Sequence, residues 1–155
     1  MVKIVQRERI GKEGRLSLAC SAVLFDPSRQ RILLTRRHDD GRWCLPGGRM
    51  EPGEDAAEAC VREVGEETGL HVHVEKLIGV YSSPHRLLEY PDGNRYQVVG
   101  LCFEVELMGG ILTQSDETTE FGYFTVDNIA GLDIHDHHRE RIQDAWANAA
   151  RAFMR

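Results

Sequence analysis

The sequence has few cysteines, and their placement excludes two classes of small protein. There are four cysteines in 155 residues, and none has the C-x-x-C spacing typical of zinc or redox pairs. Each lies among apolar residues, so we expect reduced side chains in a hydrophobic core and neither a disulfide framework nor a zinc site. The four are Cys20, Cys44, Cys60 and Cys102.

Long apolar segments are also missing. No stretch approaches the roughly 18 apolar residues of a membrane-spanning helix. The first ten residues, MVKIVQRERI, carry charges where a signal peptide needs an apolar run. We therefore expect a cytoplasmic protein without a membrane partner.

An excess of positive charge is absent as well. The chain has 19 Lys and Arg against 25 Asp and Glu, for a net charge of −6. This balance argues against binding to duplex nucleic acid, where a basic face supplies most of the affinity. It is compatible with small phosphorylated ligands, because a bound divalent cation reverses the local sign of the potential. The length and the 41% hydrophobic content predict one globular domain over residues 1–155.

The apolar pattern predicts an α/β fold with a mixed sheet and helices on its faces. Residues 26–30 form a turn that would join the first two strands as a hairpin, and the pair Gly109–Gly110 would turn the chain again. We expect strands at 16–25, 31–37, 70–83 and 95–107, a short strand and helical turn within 121–130, a central helix at 55–68, and a terminal helix carrying Ile142, Ala145, Trp146, Ala149 and Phe153.

The central helix carries an unusual density of acid in the segment REVGEE, residues 62–67. At about 100° per residue, Glu63, Glu66 and Glu67 share one helical face. Ala56 and Ala59 are expected on that same face, where they would leave it sterically open. Acidic faces are usually only solvated surface, and i,i+4 acidic pairs cost little.

The flanking residues favour a metal site instead. A Pro-Gly-Gly loop precedes the helix, and crowded carboxylates beside a carbonyl-rich loop suit Mg²⁺ or Mn²⁺. Arg62 would offset part of the repulsion and orient a neighbouring carboxylate. Gly69 fits a left-handed helix end, whereas Gly65 within the helix is explained most simply by close packing.

This segment resembles the Nudix box, the signature of the Nudix hydrolases. The agreement covers nine defined positions across 23 residues: Gly48, Glu54, Arg62, Glu63, Val64, Glu66, Glu67, Gly69 and Leu70. The resemblance implies a Nudix-type α/β/α sandwich around a central mixed β-sheet. It also implies hydrolysis, dependent on Mg²⁺ or Mn²⁺, of a nucleoside diphosphate linked to another group X.

Carried over by position, the resemblance gives roles to the residues of the box. Glu63, Glu66 and Glu67 would be metal ligands, and Glu63 could instead act as or orient a base. The backbone carbonyl of Gly48, or that of its neighbour Gly47, would be another ligand. Arg62 would hold Glu63 or the glutamate at position 54 in place.

Relatives often use one more acid downstream as a metal ligand or general base. Here the segment SDETTEF supplies Glu117 and Glu120, with Asp116 beside them. The alternative is an ordinary polar loop, with Glu63 or a metal-bound water performing that step.

Substrate choice must come from outside the box. Residues 81–97 are rich in Tyr, His and Arg, which could stack on a base or bind a phosphate. Pro84, about fifteen residues after the box, resembles a feature of ADP-ribose-cleaving relatives, with canonical or oxidised nucleoside triphosphates as the alternative. The substrate-binding candidates are Arg49, Tyr81, His85, Arg86, Tyr90 and Tyr96.

Two further alternatives concern the whole chain. Some Nudix domains only bind nucleotide as sensors, but those commonly lose box carboxylates, and this chain keeps them. The segment HDHHRER, residues 135–141, is interpreted as a solvated helix start and not as a metal cluster. A homodimer is possible, because the first residues and the strand at 95–107 could pair with a second copy.

Overall fold

The structure, a computed structural model, describes residues 1–155. A 3₁₀ turn at Ile10–Glu13 separates the first two strands. The strands are β1 (Lys3–Gln6), β2 (Arg15–Leu24), β3 (Arg31–Arg37), β4 (Trp43–Cys44), β5 (Gly47–Arg49), β6 (Leu70–Tyr81), β7 (Arg86–Glu89), β8 (Arg95–Gly110), β9 (Thr118–Thr125) and β10 (Phe153–Met154), and the helices are α1 (Ala56–Thr68), α2 (Val126–Ala130) and α3 (Asp136–Ala147).

The strands form two sheets. The larger one has seven strands and is mixed, because β2 runs parallel to β8 while β6 and β7 run antiparallel to β8. Strands β4, β3 and β9 form a smaller antiparallel sheet. This arrangement confirms the predicted α/β fold with a mixed central sheet.

Alternation along β2 assigns the two faces of the large sheet to different helices. Cys20, Ala22 and Leu24 point into a core shared with Ala59, Cys60 and Val64 of α1. Val23 points to the other face, into a core shared with Ile142 and Ala145 of α3. Since successive strand residues face opposite sides, the sheet is packed between helices as an α/β/α sandwich.

The predicted hairpin between the first two long strands is wrong. Strand β2 is paired along its length with β8 and at one part with β5, so its hydrogen-bonding edges are occupied. Strand β3 belongs to the smaller sheet, and only the bridge Phe25↔Ile32 connects it to the end of β2. The turn itself is present, with the N–H of Arg29 donating to the carbonyl of Asp26.

The end of the chain also differs from the prediction. Helix α3 ends at Ala147, because Asn148 takes the left-handed conformation with φ 47°. Phe153 therefore lies outside the helix, in β10, which pairs in parallel with β6. The expected turn at Gly109 and Gly110 is absent as well, since β8 continues through both and pairs with Leu70 and His71.

The four cysteines are buried and free, as predicted. No helix in the structure is long and apolar enough to cross a membrane.

Candidate active site

Helix α1 begins and ends through local interactions that the sequence encodes. Asp55 caps the first turn by accepting the N–H of Glu58, and the Glu58 carboxylate accepts the N–H of Asp55 in return. This reciprocal capping box satisfies two backbone donors that a helix start leaves free. At the other end Gly69 takes the predicted left-handed conformation, with φ 75°.

The core face of α1 differs in part from the prediction. Cys60 and Val64 are buried against the sheet as expected. Ala59 is fully buried in the same core, and Ala56 packs against it, so the alanines do not hold the acidic face open. The core face and the acidic face of the helix adjoin, and both alanines lie on the core face.

Close packing does not explain Gly65. A Cβ placed there would meet only the carbonyl oxygen of Leu70, at 3.8 Å, which is an ordinary van der Waals distance. An alanine would therefore fit without moving a neighbour, and the glycine carries only its helix-propensity cost.

Arg62 is the centre of the acidic cluster. Its guanidinium makes a forked pair with Glu54, through Nε and through Nη2 at 3.1 Å. Nη1 donates to Glu63 at 3.0 Å and to Glu66 at 3.2 Å, and Nη2 also donates to the carbonyl of Arg49 at 3.0 Å. Arg62 thus joins three carboxylates to the loop before the helix. Glu54 in turn accepts the N–H of Glu51 at 2.9 Å, which closes that loop.

The two glycines of the loop lie against the acidic cluster. The N–H of Gly47 donates to Oε2 of Glu67 at 3.0 Å. A Cβ at Gly48 would meet the Glu63 carboxyl at 2.4 Å, so any larger residue there would displace this carboxylate. Glycine at position 48 therefore lets the loop backbone approach the carboxylate in its observed position.

Burial and mutual repulsion disfavour the charged forms of two of these acids. Burial raises the pKa of the Glu67 carboxyl to about 8, and the charges of Glu63 and Glu117 add to the rise against the opposing Gly47 hydrogen bond. Burial also raises the pKa of Glu63, while Arg62 opposes the shift. Crowded carboxylates of this kind mark a place where a cation would be stabilising.

These glutamates line a cavity of about 730 Å³, within the usual range for small-molecule sites. Its floor includes one row of β2, the small residues Ser17, Ala19 and Ser21, on the face of the sheet that packs against α3. Strands β8 and β7 and helix α3 contribute further lining residues. The acidic cluster lines this cavity beside β5, which is an edge strand of the large sheet.

The two downstream acids occupy different places. Glu117 lines the cavity, and its charge acts on Glu63 and Glu67. Glu120 points away from the cavity lining, where its half-exposed carboxylate lies 3.4 Å from Arg36 on the neighbouring strand β3. The structure therefore brings Glu117 to the acidic cluster and leaves Glu120 outside it, because Glu120 lies in β9 opposite Arg36 of β3 whereas Glu117 lies in the loop before β9.

Arg49, Tyr90 and Tyr96 form the aromatic end of the cavity. The Arg49 guanidinium lies 4.4 Å from the centroid of the Tyr96 ring, and Tyr90 meets that ring edge-on at 5.7 Å. Arg49 Nε also donates to Ser17 Oγ at 3.2 Å. This end presents a guanidinium plane and aromatic rings, the surfaces on which a nucleobase stacks.

Two predicted substrate residues are placed differently. Tyr81 is only 3% exposed and donates its hydroxyl to Asp144 at 2.7 Å, so it forms part of the wall and offers no free ring face for stacking. His85 lies in a separate outer groove, where its Nδ1 accepts the N–H of Arg9 at 2.9 Å. Arg86 lines both the cavity and that groove.

Helix α3 contributes cavity residues that the sequence analysis missed. His137, His138 and Arg141 line the cavity, and His138 and Arg141 are buried, so the interpretation of this segment as a solvated helix start is wrong. The missed signal is helical spacing: His138 and Arg141 precede Ile142 and Ala145 on the buried face at positions i, i+3, i+4 and i+7.

The donor set of the acidic cluster fits a hard divalent cation. Carboxylate and carbonyl oxygens are the ligands that Mg²⁺ and Mn²⁺ prefer, and the glycine cradle leaves the loop backbone within reach. No three His, Cys, Asp or Glu side chains of the structure converge closely enough to enclose a metal by themselves. Magnesium sites of this type commonly retain waters and take further ligands from substrate phosphates.

Comparison with known proteins agrees with this geometry. The family model of the NUDIX domain matches residues 15–145, which include the smaller sheet, five of the seven strands of the larger sheet, the acidic cluster and most of α3. The chain belongs to the Nudix hydrolase family. It is therefore an enzyme of the Nudix pyrophosphohydrolase class. Its acidic cluster is formed by residues of the Nudix box.

Individual relatives share different parts of this Nudix hydrolase. It is 38% identical over 123 residues to an ADP-ribose pyrophosphatase of Methanocaldococcus jannaschii, covering 76% of this chain and 68% of that protein. It is 54% identical over 55 residues to a putative 8-oxo-dGTP diphosphatase of Bacillus subtilis, covering 36% and 37%. The chain thus spans little more than a third of the length of this second relative.

A solved structure gives the same fold. An ADP-ribose pyrophosphatase from Streptococcus suis superimposes with a TM-score of 0.67 at 23% identity, over 90% of this chain and 97% of that one. At this identity the likeness concerns the architecture, which agrees with the α/β/α sandwich described above.

Proposed function

We propose that this Nudix hydrolase cleaves the pyrophosphate bond of a nucleoside diphosphate linked to X, with Mg²⁺ or Mn²⁺ as cofactor and an ADP-ribose or nucleotide-sugar type of substrate. The observation that carries the proposal is the cluster of Glu63, Glu66 and Glu67 against the loop at Gly48, beside a cavity with an aromatic end. The named M. jannaschii relative supports the ADP-ribose type.

Each residue has a role in this proposal. Glu63, Glu66, Glu67 and the Gly48 carbonyl hold the cation, which when bound would offset phosphate charge and acidify a water. Arg62 orients Glu63 and Glu66 through the hydrogen bonds described above. Glu67 is buried, and a bound cation would make its charged form favourable.

The remaining residues act on the water and the substrate. Glu117 faces the cluster and is placed to accept the proton of the attacking water. Arg49 and Tyr96 bind the base at the aromatic end. Glu120, paired with Arg36 outside the cavity, has no role in the proposed reaction.

A substrate panel tests the proposal. The metal-free protein is incubated with ADP-ribose, nucleotide sugars, nucleoside triphosphates and 8-oxo-dGTP, with or without Mg²⁺ or Mn²⁺, and products are separated by ion-exchange chromatography. We expect AMP and ribose 5-phosphate from ADP-ribose only when metal is present. Faster release of pyrophosphate from a triphosphate would favour the second substrate class, which the B. subtilis relative supports. No turnover of any compound would favour a binding-only sensor.

A further inference from the structure

A buried arginine without a counter-ion lies at the α3 end of the cavity. Arg141 is 8% exposed, yet it makes no salt bridge, and its Nε has no hydrogen-bond partner. Its only hydrogen bond is a neutral one, from Nη1 to Ser21 Oγ at 3.3 Å, and its guanidinium lies 5.1 Å from the centroid of the Tyr81 ring. A buried, unpaired cation is costly, so this position calls for an anion.

The nearest acids of α3 are engaged elsewhere. Asp144, one turn along the helix, accepts two hydrogen bonds from Arg155 at 2.9 Å and one from the Tyr81 hydroxyl at 2.7 Å. Glu140 lies 3.6 Å from the same Arg155. Arg155 therefore engages Asp144 and Glu140, and neither carboxylate makes a salt bridge with Arg141.

A second unpaired guanidinium lies beside the first. Arg86 of β7 lines the same cavity and makes no side-chain hydrogen bond or salt bridge. Burial lowers the pKa of Arg86 and of Arg141, and the Arg86 charge contributes to the Arg141 shift. Burial and these two charges also hold the pKa of His137 far below its ordinary value, so the imidazole is neutral. This end of the cavity is cationic without help from histidine protonation.

The two ends of the cavity are separated along β2. Ser17 contacts Arg49 at the aromatic end, and Ser21 contacts Arg141 at the other. Four residues of extended strand span about 13 Å. Gly48 and Gly47 pair with Cys20 and Ser21, so the acidic cluster lies beside this row nearer to Ser21 than to Ser17.

We propose that Arg86 and Arg141 form a second anion site, which binds a phosphate group carried by X, remote from the scissile pyrophosphate. A pair of guanidiniums provides the forked donors and the charge that match a phosphate dianion. The inference rests on the proposed function, because it assigns X to the α3 end of the same cavity. It deepens that function by making a phosphorylated X the preferred substrate class.

Matched substrates test the inference. We compare kcat/KM for ADP-ribose, for ADP-ribose 1″-phosphate, which is phosphorylated on X, and for 2′-phospho-ADP-ribose, which is phosphorylated on the nucleoside. Wild type should prefer the 1″-phosphate over ADP-ribose by roughly 10- to 100-fold, as expected for charged hydrogen bonds to a phosphate. Arg86→Gln and Arg141→Gln should each reduce this ratio towards one. Arg151→Gln removes the same charge from an exposed site and should leave the ratio unchanged.

Three outcomes would overturn the inference. The first is equal kcat/KM of the wild type for ADP-ribose 1″-phosphate and ADP-ribose, and the second is a preference for 2′-phospho-ADP-ribose alone. The third is an equal loss of kcat/KM for ADP-ribose and its 1″-phosphate in the Arg86 and Arg141 variants. A binding measurement separates this result from failure of the proposed function. Calorimetry with inorganic phosphate, in EDTA and without turnover, should detect binding to wild type and to Arg151→Gln, and weaker binding to both site variants. Undetectable or equal binding in all four proteins also contradicts the site, even if no compound is hydrolysed.

Discussion

Arg62 and Arg141 line one cavity from opposite faces of the large sheet, and their surroundings are opposite. Arg62 of α1 bonds to Glu54, Glu63 and Glu66 and to a backbone carbonyl, so its charge is more than balanced. Arg141 of α3 has a serine hydroxyl and a tyrosine ring. The α1 side of the cavity, its acidic end, has acid in excess and calls for a cation, and the α3 side, its basic end, has base in excess and calls for an anion.

An arginine that is paired with carboxylates and one that is unpaired have different functions. Arg62 of α1 positions other groups, since its hydrogen bonds are made to three carboxylates and a backbone carbonyl of the protein. The arginine of α3 remains available to a ligand. A substrate with a metal-bound pyrophosphate and an anionic group at its far end would neutralise both ends at once.

The largest effect is expected from Glu67→Gln at the acidic end. The amide can still accept the Gly47 N–H, but it cannot be a charged metal ligand, so we expect kcat/KM to fall by at least about 100-fold. Steady-state kinetics at saturating Mg²⁺ measure this fall. Near wild-type activity, with the far-UV spectrum unchanged, would contradict the assignment.

The same variant should change the pH dependence of stability. The pKa of Glu67 is about 8 in the folded metal-free protein, against an ordinary value of 4.5. Between these values the folded state keeps a proton that the unfolded state releases, so the free energy of unfolding falls as pH rises from about 4.5 to about 8. The amide removes this contribution. Urea unfolding in EDTA should therefore show Glu67→Gln more stable than wild type at pH 8 and little different at pH 4.5.

A matched pair of downstream variants tests which acid belongs to the acidic end. Glu117→Gln should reduce kcat by about 100-fold if the carboxylate accepts a proton in the reaction, whereas Glu120→Gln should leave kcat within about twofold. The reason is position, since Glu117 lines the cavity and Glu120 does not. A larger loss for Glu120→Gln, measured by the same assay, would reverse the assignment.

Replacing Arg62 and replacing Arg141 should have different effects on the free energy of unfolding. Arg62→Met leaves three carboxylates without their donor, and we expect the free energy of unfolding to fall by about 1–2 kcal/mol. Arg141→Met removes an unpaired buried cation and should leave stability equal or higher. Urea titrations of both variants in EDTA and without phosphate make the comparison. A large destabilisation by Arg141→Met would show that its charge serves the fold.

The smallest effect concerns the backbone of α1. Gly65→Ala should raise the free energy of unfolding by about 0.5–1 kcal/mol, because the site has room for a methyl group and alanine is the better helix former. Gly69→Ala is the matched control and should be destabilising, since φ is 75° and a Cβ would lie 2.5 Å from the Ile111 carbonyl. Equal effects of the two variants would contradict the distinction drawn between these glycines.

Prediction from sequence succeeded where interactions are local. The bounds of α1, its Gly69 end and the approach of Arg62 to Glu54 and Glu63 depend on residues within about one loop and one helix. The strand at Arg31–Arg37 was also predicted with its observed bounds. The hairpin failed because strand partners are chosen by the whole sheet, and a tight turn between two strands does not require that they pair.

The acidic end of this protein follows from local sequence, because a helix of fixed period places Glu63, Glu66 and Glu67 on one side wherever the helix lies. The basic end exists only once the chain is folded. Arg86 and Arg141 are 55 positions apart in the sequence, and they become neighbours because β7 and α3 wall the same cavity. The pairing of Asp144 with Arg155 and not with Arg141 is likewise a tertiary effect, since β10 pairs with β6 and brings Arg155 to α3.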